Sequence, residues 1–194
     1  MKIVCETRGG RKMKKFEEKT TQSKSIFEGR VISLKVDEVK LPNGKTGKRE
    51  IINHPGAVAI IALTPERKIV LVEQYRKALE RSIIEIPAGK LEKGEEPIMT
   101  AMRELEEETG YKAEKFSFLQ AFATSPGFAD EIIHLFVAEN LSLVENKADL
   151  DEDEFVEVME VTVEEAEQLV AEGKIFDAKT AFAVLWVKNH LDNA

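Results

Sequence analysis

The chain is short of several things, and each shortage removes a class of function. It has a single cysteine, Cys5, in 194 residues, so no intramolecular disulfide framework can form. A reducing compartment, the cytoplasm, is the expected location. The longest apolar run, around residues 56–63, falls far below the roughly 20 residues that a membrane-spanning helix needs, so no membrane partner is expected. The N-terminal residues include bases but lack the apolar centre of a signal peptide. Positive charge is in deficit, with 28 Lys and Arg against 36 Asp and Glu and a formal charge of -8. A broad nucleic-acid footprint needs a basic surface and is not expected. A small polyphosphate remains open as a ligand, because divalent cations can bridge like charges. Internal repeats and low-complexity tracts are missing too. What remains is 43% hydrophobic and 33% charged, the balance of a globular protein with one substantial domain and a small appendage.

Along the chain, residues 1–25 are polar, with Gly9, Gly10 and the bases Arg11, Lys12, Lys14 and Lys15. They show no period and read as a flexible arm, with Met13 as an alternative start. From residue 27 to 41 the pattern turns β-like, and Leu41-Pro42-Asn43-Gly44 reads as a tight turn because Asn-Gly tolerates positive φ. With a returning strand over 49–53, this makes a small antiparallel β unit over residues 26–54. The main domain is expected over 55–194. Its first strand, residues 57–63, has the length and β-branched content of a strand buried on both faces. Residues 68–75 form its hairpin partner, and 83–86 are a short strand broken by Pro87-Ala88-Gly89. A helix over 95–110 follows, then strands over 116–124, 131–138 and 155–161. An acidic loop occupies 145–154, and helices over 163–172 and 178–191 close the chain. These elements make an α+β fold class.

The helix over 95–110 carries the chemistry. At about 100° per residue, Ile98, Met102, Leu105 and Thr109 fall on one stripe that can pack against a sheet. Glu104, Glu107 and Glu108 lie on a different face, where carboxylates at helical spacing repel one another. Arg103 can pair with Glu107 one turn on, which leaves Glu104 and Glu108 in want of positive charge. Hard divalent ions with oxygen ligands are the natural partner. A Glu-rich helix is ordinarily a solvated face, but three features weigh against that here. A glycine-containing loop leads into the helix, so backbone carbonyls can approach the same ion. Gly94 precedes the helix with Glu95 in its first turn, where negative charge is favoured. Gly110 stops the helix directly after the acidic cluster.

This stretch resembles the Nudix box, Gly-x5-Glu-x7-Arg-Glu-U-x-Glu-Glu-x-Gly-U, with U a bulky apolar residue. Gly89, Glu95, Arg103, Glu104, Leu105, Glu107, Glu108 and Gly110 stand in register, and Tyr111 fills the last bulky position. The resemblance implies the Nudix fold, a mixed β-sheet sandwiched between helices (α/β/α), here preceded by the small N-terminal antiparallel β unit. It implies magnesium-dependent hydrolysis of a pyrophosphate bond to two phosphomonoesters. Glu104 and Glu108 would be the principal Mg²⁺ ligands, with Glu107 supporting a further ion or the water network and the Ala88 carbonyl as an additional ligand. Arg103 would orient the glutamates by salt bridges, and Glu95 would tie the loop to the helix. Two or three Mg²⁺ ions, for which Mn²⁺ can substitute, would neutralise the diphosphate and lower the pKa of an attacking water.

The box fixes chemistry rather than substrate. Pro126, sixteen residues after Gly110, lies in Thr124-Ser125-Pro126-Gly127-Phe128, which is similar to the downstream proline signature of the ADP-ribose pyrophosphatase subfamily. Residues 54–58, Glu73-Gln74-Tyr75-Arg76 and Gly173-Lys174-Ile175 also look like that subfamily, so the resemblance spans roughly residues 27–190. It implies ADP-ribose as substrate, cleaved to AMP and ribose 5-phosphate. Arg76 would contact phosphate or ribose, and Glu131 would lie at the terminal ribose. The N-terminal β unit would supply part of the adenine site, in a homodimer that could be domain-swapped. Phe27 or Tyr75 would stack on adenine, Tyr75 being read rather as core. The general base would come from the acidic loop, Glu152 first and Glu154 second. His54, His134 and His190 read as structural. The rival readings are another nucleoside diphosphate sugar such as GDP-mannose as substrate, or a non-catalytic ADP-ribose-binding sensor.

Overall fold

The computed structural model describes residues 15–145 and 155–191. The chain divides into two compact units, Met1–Asn53 and His54–Ala194, each built on its own sheet.

In the first unit, β1 (Lys19–Glu28), β2 (Ser33–Lys40) and β3 (Thr46–Asn53) form an antiparallel sheet in the order β1-β2-β3. The expected turn joins β2 to β3. Gly44 sits at φ 83, its N–H donates to the Leu41 carbonyl at 2.9 Å, and Asn43 Oδ1 accepts from the Lys45 N–H at 3.0 Å. The arm expected over residues 1–25 is too long, because β1 already begins at Lys19. All ten β1 residues are exposed, so the strand has no buried face and no apolar alternation to betray it. Hydroxyls tie it down instead. Thr20 and Ser23 both donate to the buried Asp37 carboxylate of β2, at 3.3 and 2.6 Å.

The second unit holds a seven-stranded sheet of β4 (Ala57–Leu63), β5 (Ile69–Arg76), β6 (Arg81–Glu85), β7 (Ala88–Lys90), β8 (Tyr111–Ala123), β9 (Ile132–Leu143) and β10 (Val156–Val161). The order is β10-β5-β4-β9-β8, with β6 against β5 and β7 against β4. Only β4 and β9 run parallel, so the sheet is mixed. Strand β4 is buried at all seven positions because its side chains feed two cores alternately. Ala57, Ala59, Ile61 and Leu63 join residues of α2 (Val163–Ala171) and α3 (Ala178–Leu191). Val58, Ile60 and Ala62 join Ala101 and Leu105 of α1 (Pro97–Thr109). Helices therefore cover both faces, the α/β/α layering that the resemblance implies.

Local differences from the sequence reading have local causes. Helix α1 starts at Pro97 with Glu96 as N-cap, so Glu95 lies outside its first turn. Proline suits that position because its missing N–H would have no partner there anyway. The expected apolar stripe is also displaced. Ile98 and Met102 are exposed, and the buried positions are Thr100, Ala101, Glu104, Leu105, Glu108 and Thr109. The helix is thus turned so that two box glutamates go inward beside Leu105. Strand β7 was not expected, since three residues containing a glycine carry no strand pattern; its pairing with Ala57, Val58 and Ala59 creates it. Strand β8 starts at Tyr111, directly after the Gly110 cap at φ 74, earlier than expected because the exposed Lys112, Glu114 and Lys115 leave its first residues with little apolar alternation. Among the described residues, no helix is long and apolar enough to cross a membrane.

Candidate active site

The floor of the site is backbone. Strand β7 is hydrogen-bonded onto β4, and the Ile60 N–H donates to the Pro87 carbonyl at 2.9 Å. Ala101 and Leu105 seat α1 above the same strand. Together they bring two carboxylates against the β7 main chain. Glu108 Oε2 accepts the Ala88 N–H at 2.9 Å. A methyl group at Gly89 would collide with the Glu104 carboxylate, so only glycine permits this approach. Glu104 and Glu108 are 8% and 3% exposed, which rules out the solvated face that an acidic helix ordinarily presents.

Arg103 is the hub beside them. Its guanidinium lies 2.7 Å from Glu107, 3.0 Å from Glu104 and 3.4 Å from Glu95. Burial works against the Arg103 charge, but Glu95, Glu104 and Glu107 outweigh it and its pKa is raised. Glu95 also accepts the Thr100 hydroxyl at 2.8 Å. That bond first, and Arg103 after it, hold the Glu95 carboxyl below its ordinary value. Glu95 therefore bridges the loop to the helix although it lies outside the helix itself.

Three carboxylates, Glu95, Glu104 and Glu107, share this one guanidinium, so acids outnumber bases around it. Glu107 is turned to Arg103, and among the described residues no three His, Cys, Asp or Glu side chains converge on a single point. The inward-facing donors are Glu104 and Glu108 against a backbone cradle that a Cβ at position 89 would fill. Hard oxygens alone suit Mg²⁺ or Mn²⁺ rather than a metal that prefers sulfur or imidazole. The residues present fit such an ion.

Arg76, at the end of β5, gives Nε and Nη2 to the two oxygens of Glu85, at 2.6 and 2.9 Å. Donation to Glu85 raises the Arg76 pKa, and the charges of Glu85, Glu108 and Asp177 add to it, which places the guanidinium within electrostatic reach of the box. Glu85 is only 1% exposed and also accepts a hydrogen bond from Lys179 Nζ of α3. Burial pushes its carboxyl up, but Arg76 and Lys179 outweigh burial and the pKa is lowered. Sequence reasoning missed Glu85 and Lys179. They lie 94 residues apart, and their only local signal is the helix-capping pattern from Asp177 to Thr180.

Glu131 accepts the Thr124 hydroxyl and lies 3.5 Å from His54 Nδ1, while Asp130 accepts the His54 N–H at 2.8 Å. Pro126 occupies the turn in which the Phe128 and Ala129 N–H groups both donate to the Ser125 carbonyl. Tyr75 is 56% exposed and so is not core. It lies near the end of β5, paired across to Ser82 of β6, past the strand's buried half. Phe27 is an exposed residue of β1 whose ring packs over Gly29. Glu152 and Glu154 fall outside the described residues.

A family model described as "NUDIX domain" matches residues 53–183, and one described as "Nucleoside diphosphate sugar hydrolase N-terminal domain" matches residues 18–52. The ADP-ribose pyrophosphatase of Bacillus subtilis (strain 168) is 62% identical over 91% of this chain and 95% of its own length. The methanol dehydrogenase activator of Bacillus methanolicus is 64% identical over 90% of this chain and 95% of its own length. Among solved structures, an ADP compounds hydrolase superposes with a TM-score of 0.80, covering 95% of this chain and 98% of that one. At 19% identity that likeness is one of fold.

Proposed function

Because the chain belongs to the NUDIX family, a family of hydrolases, we propose that it cleaves the pyrophosphate bond of ADP-ribose to AMP and ribose 5-phosphate with Mg²⁺. One observation carries the chemistry: Glu104 and Glu108 are buried against the β7 backbone, hard oxygens beside a main-chain cradle that a Cβ at position 89 would fill. The B. subtilis relative supports ADP-ribose as the substrate.

Glu104 and Glu108 hold the ion, with the Ala88 carbonyl as a further donor and Glu107 supporting the water network or a second ion. When bound, magnesium neutralises the diphosphate and acidifies the attacking water. Arg103 fixes the glutamate carboxylates. Arg76 offers its guanidinium to the phosphate or ribose, and Glu131, beside the Pro126 turn, faces the terminal ribose. Glu152, with Glu154 second, removes the proton from the water. Phe27 stacks on adenine. The molecule is cytoplasmic and a homodimer; the fully exposed β1 with its Ile26 and Phe27 supports the dimer, and sedimentation across a concentration series tests it.

The test of activity is product analysis with Mg²⁺ over a panel of ADP-ribose, GDP-mannose and other nucleoside diphosphate sugars. AMP and ribose 5-phosphate from ADP-ribose at the highest kcat/KM support the proposal. Faster cleavage of GDP-mannose would replace the substrate, and tight ADP-ribose binding without cleavage would make the protein a sensor. Slowed turnover in Glu152→Gln with metal still bound supports that base; a loss confined to Glu154→Gln moves it. The B. methanolicus relative favours a second reading, activation of a methanol dehydrogenase. That reading fails if adding this protein leaves the dehydrogenase rate unchanged.

A further inference from the structure

A lysine in the first turn of a helix stands at the end where the backbone dipole disfavours positive charge. Lys179 occupies such a place in α3, whose first turn carries no acid. Its side chain is 11% exposed and points away from solvent, to Glu85 and, at 3.1 Å, to Asp177. Asp177 is already engaged as the helix cap, accepting from the Thr180 N–H at 3.1 Å and the Thr180 hydroxyl at 3.0 Å. Thr180 Oγ1 in turn accepts the Ile86 N–H at 3.0 Å, one residue after Glu85. The first turn of α3 is thus fastened to the end of β6 at two adjacent points.

We propose that Lys179 is a positioning residue for Arg76, acting through the Glu85 carboxylate that the two cations share. Glu85 is too deeply buried to be left with a partial counter-charge. If Arg76 were its only cation, a substrate phosphate pulling on the guanidinium would compete with a buried carboxylate that has no other counter-charge. With Lys179 on Oε2, the carboxylate stays compensated and Arg76 remains anchored along its Nε–Nη2 edge. The Nη1 side of the guanidinium is then available to an anionic ligand. The inference rests on the proposed role of Arg76 in substrate binding, and it assigns to α3, far along the chain from the box, a part in setting substrate affinity.

Steady-state kinetics of Lys179→Met test it, together with calorimetric binding of ADP-ribose in chelator so that affinity is read without turnover. KM and Kd should rise about tenfold, the size expected when a charge-assisted contact is weakened, while kcat changes by less than about threefold. Lys179→Arg should recover most of the affinity. Glu85→Gln/Lys179→Met, which removes the carboxylate and its second cation together, should bind better than Lys179→Met alone. In an Arg76→Ala background, Lys179→Met should have no further effect on Kd. Independent, multiplying effects of the Arg76 and Lys179 changes would overturn the proposal, as would a kcat loss matching the KM change or a drop in Tm that alone accounts for it. Wild-type turnover across the sugar panel checks the underlying reading separately. If another nucleoside diphosphate sugar is the better substrate, the same variants are read on that compound; if none is cleaved or bound, both readings fall.

Discussion

Two ionic clusters in the second unit use the same kinds of side chain and reach opposite balances. Around Arg103, the carboxylates of Glu95, Glu104 and Glu107 share a single guanidinium, while the buried Glu104 and Glu108 press against main chain. Around Glu85, Arg76 and Lys179 face Glu85 and Asp177, two cations for two anions. The balanced cluster can serve as a frame, with Asp177 Oδ1 its one buried oxygen without a hydrogen-bond partner among the described residues. The acid-rich one presents buried hard oxygens against main chain, where a divalent ion and its anionic ligand fit.

Removing charge from each cluster should therefore act in opposite directions. The largest effect is expected for Glu108→Gln, which should lower kcat about 10³-fold, on the scale of losing a preorganised electrostatic group. The amide can still accept the Ala88 N–H, so the metal-free Tm should hold or rise as repulsion is relieved. The rise in Tm that Mg²⁺ gives the wild type should disappear. A variant with near-normal turnover would end the ligand assignment. Gly89→Ala comes next, with a loss of about 10²-fold, because the methyl group displaces the Glu104 carboxylate and misplaced groups of that kind cost this much. Unchanged kinetics there would mean that the close approach has no part in catalysis.

In the balanced cluster, Glu85→Gln should reduce stability rather than raise it. The Glu85 carboxyl lies below its ordinary value of 4.5 in the folded chain, so the unfolded chain binds the proton more readily. Its contribution is complete above 4.5 and is lost as pH falls through the lowered folded value. Urea titrations should show the gap between wild type and variant closing over that acid range; a gap independent of pH would locate the effect in packing. The smallest change is expected for Thr100→Val, which removes the hydroxyl bond to Glu95 and should cost about 1 kcal/mol of stability, read in the same titrations.

How much of this was legible depended on the distance over which each feature is specified. The box positions, the Gly110 cap and the doubly buried β4 are local patterns, and they stand where the residues indicate. The orientation of α1 was not legible. A stripe of Ile98, Met102, Leu105 and Thr109 satisfies helical periodicity, yet small residues at 100 and 101 let the helix pack on its other side and carry Glu104 and Glu108 inward. Strand β1 escaped because polar residues on both faces leave no period to detect. Strand β7 and the link between Lys179 and Glu85 escaped because each exists only through a partner far away in sequence.

The attachment of β7 to β4 has a consequence for timing. Pro87, Ala88 and Gly89 are hydrogen-bonded into the most deeply enclosed strand of the molecule. The floor beneath the carboxylates can then open only when that strand opens, so exchange of the Ile60 amide, which donates to the Pro87 carbonyl, should be as slow as global unfolding allows. Ions and substrates must come and go through the movement of side chains above a floor that keeps the slowest clock in the protein.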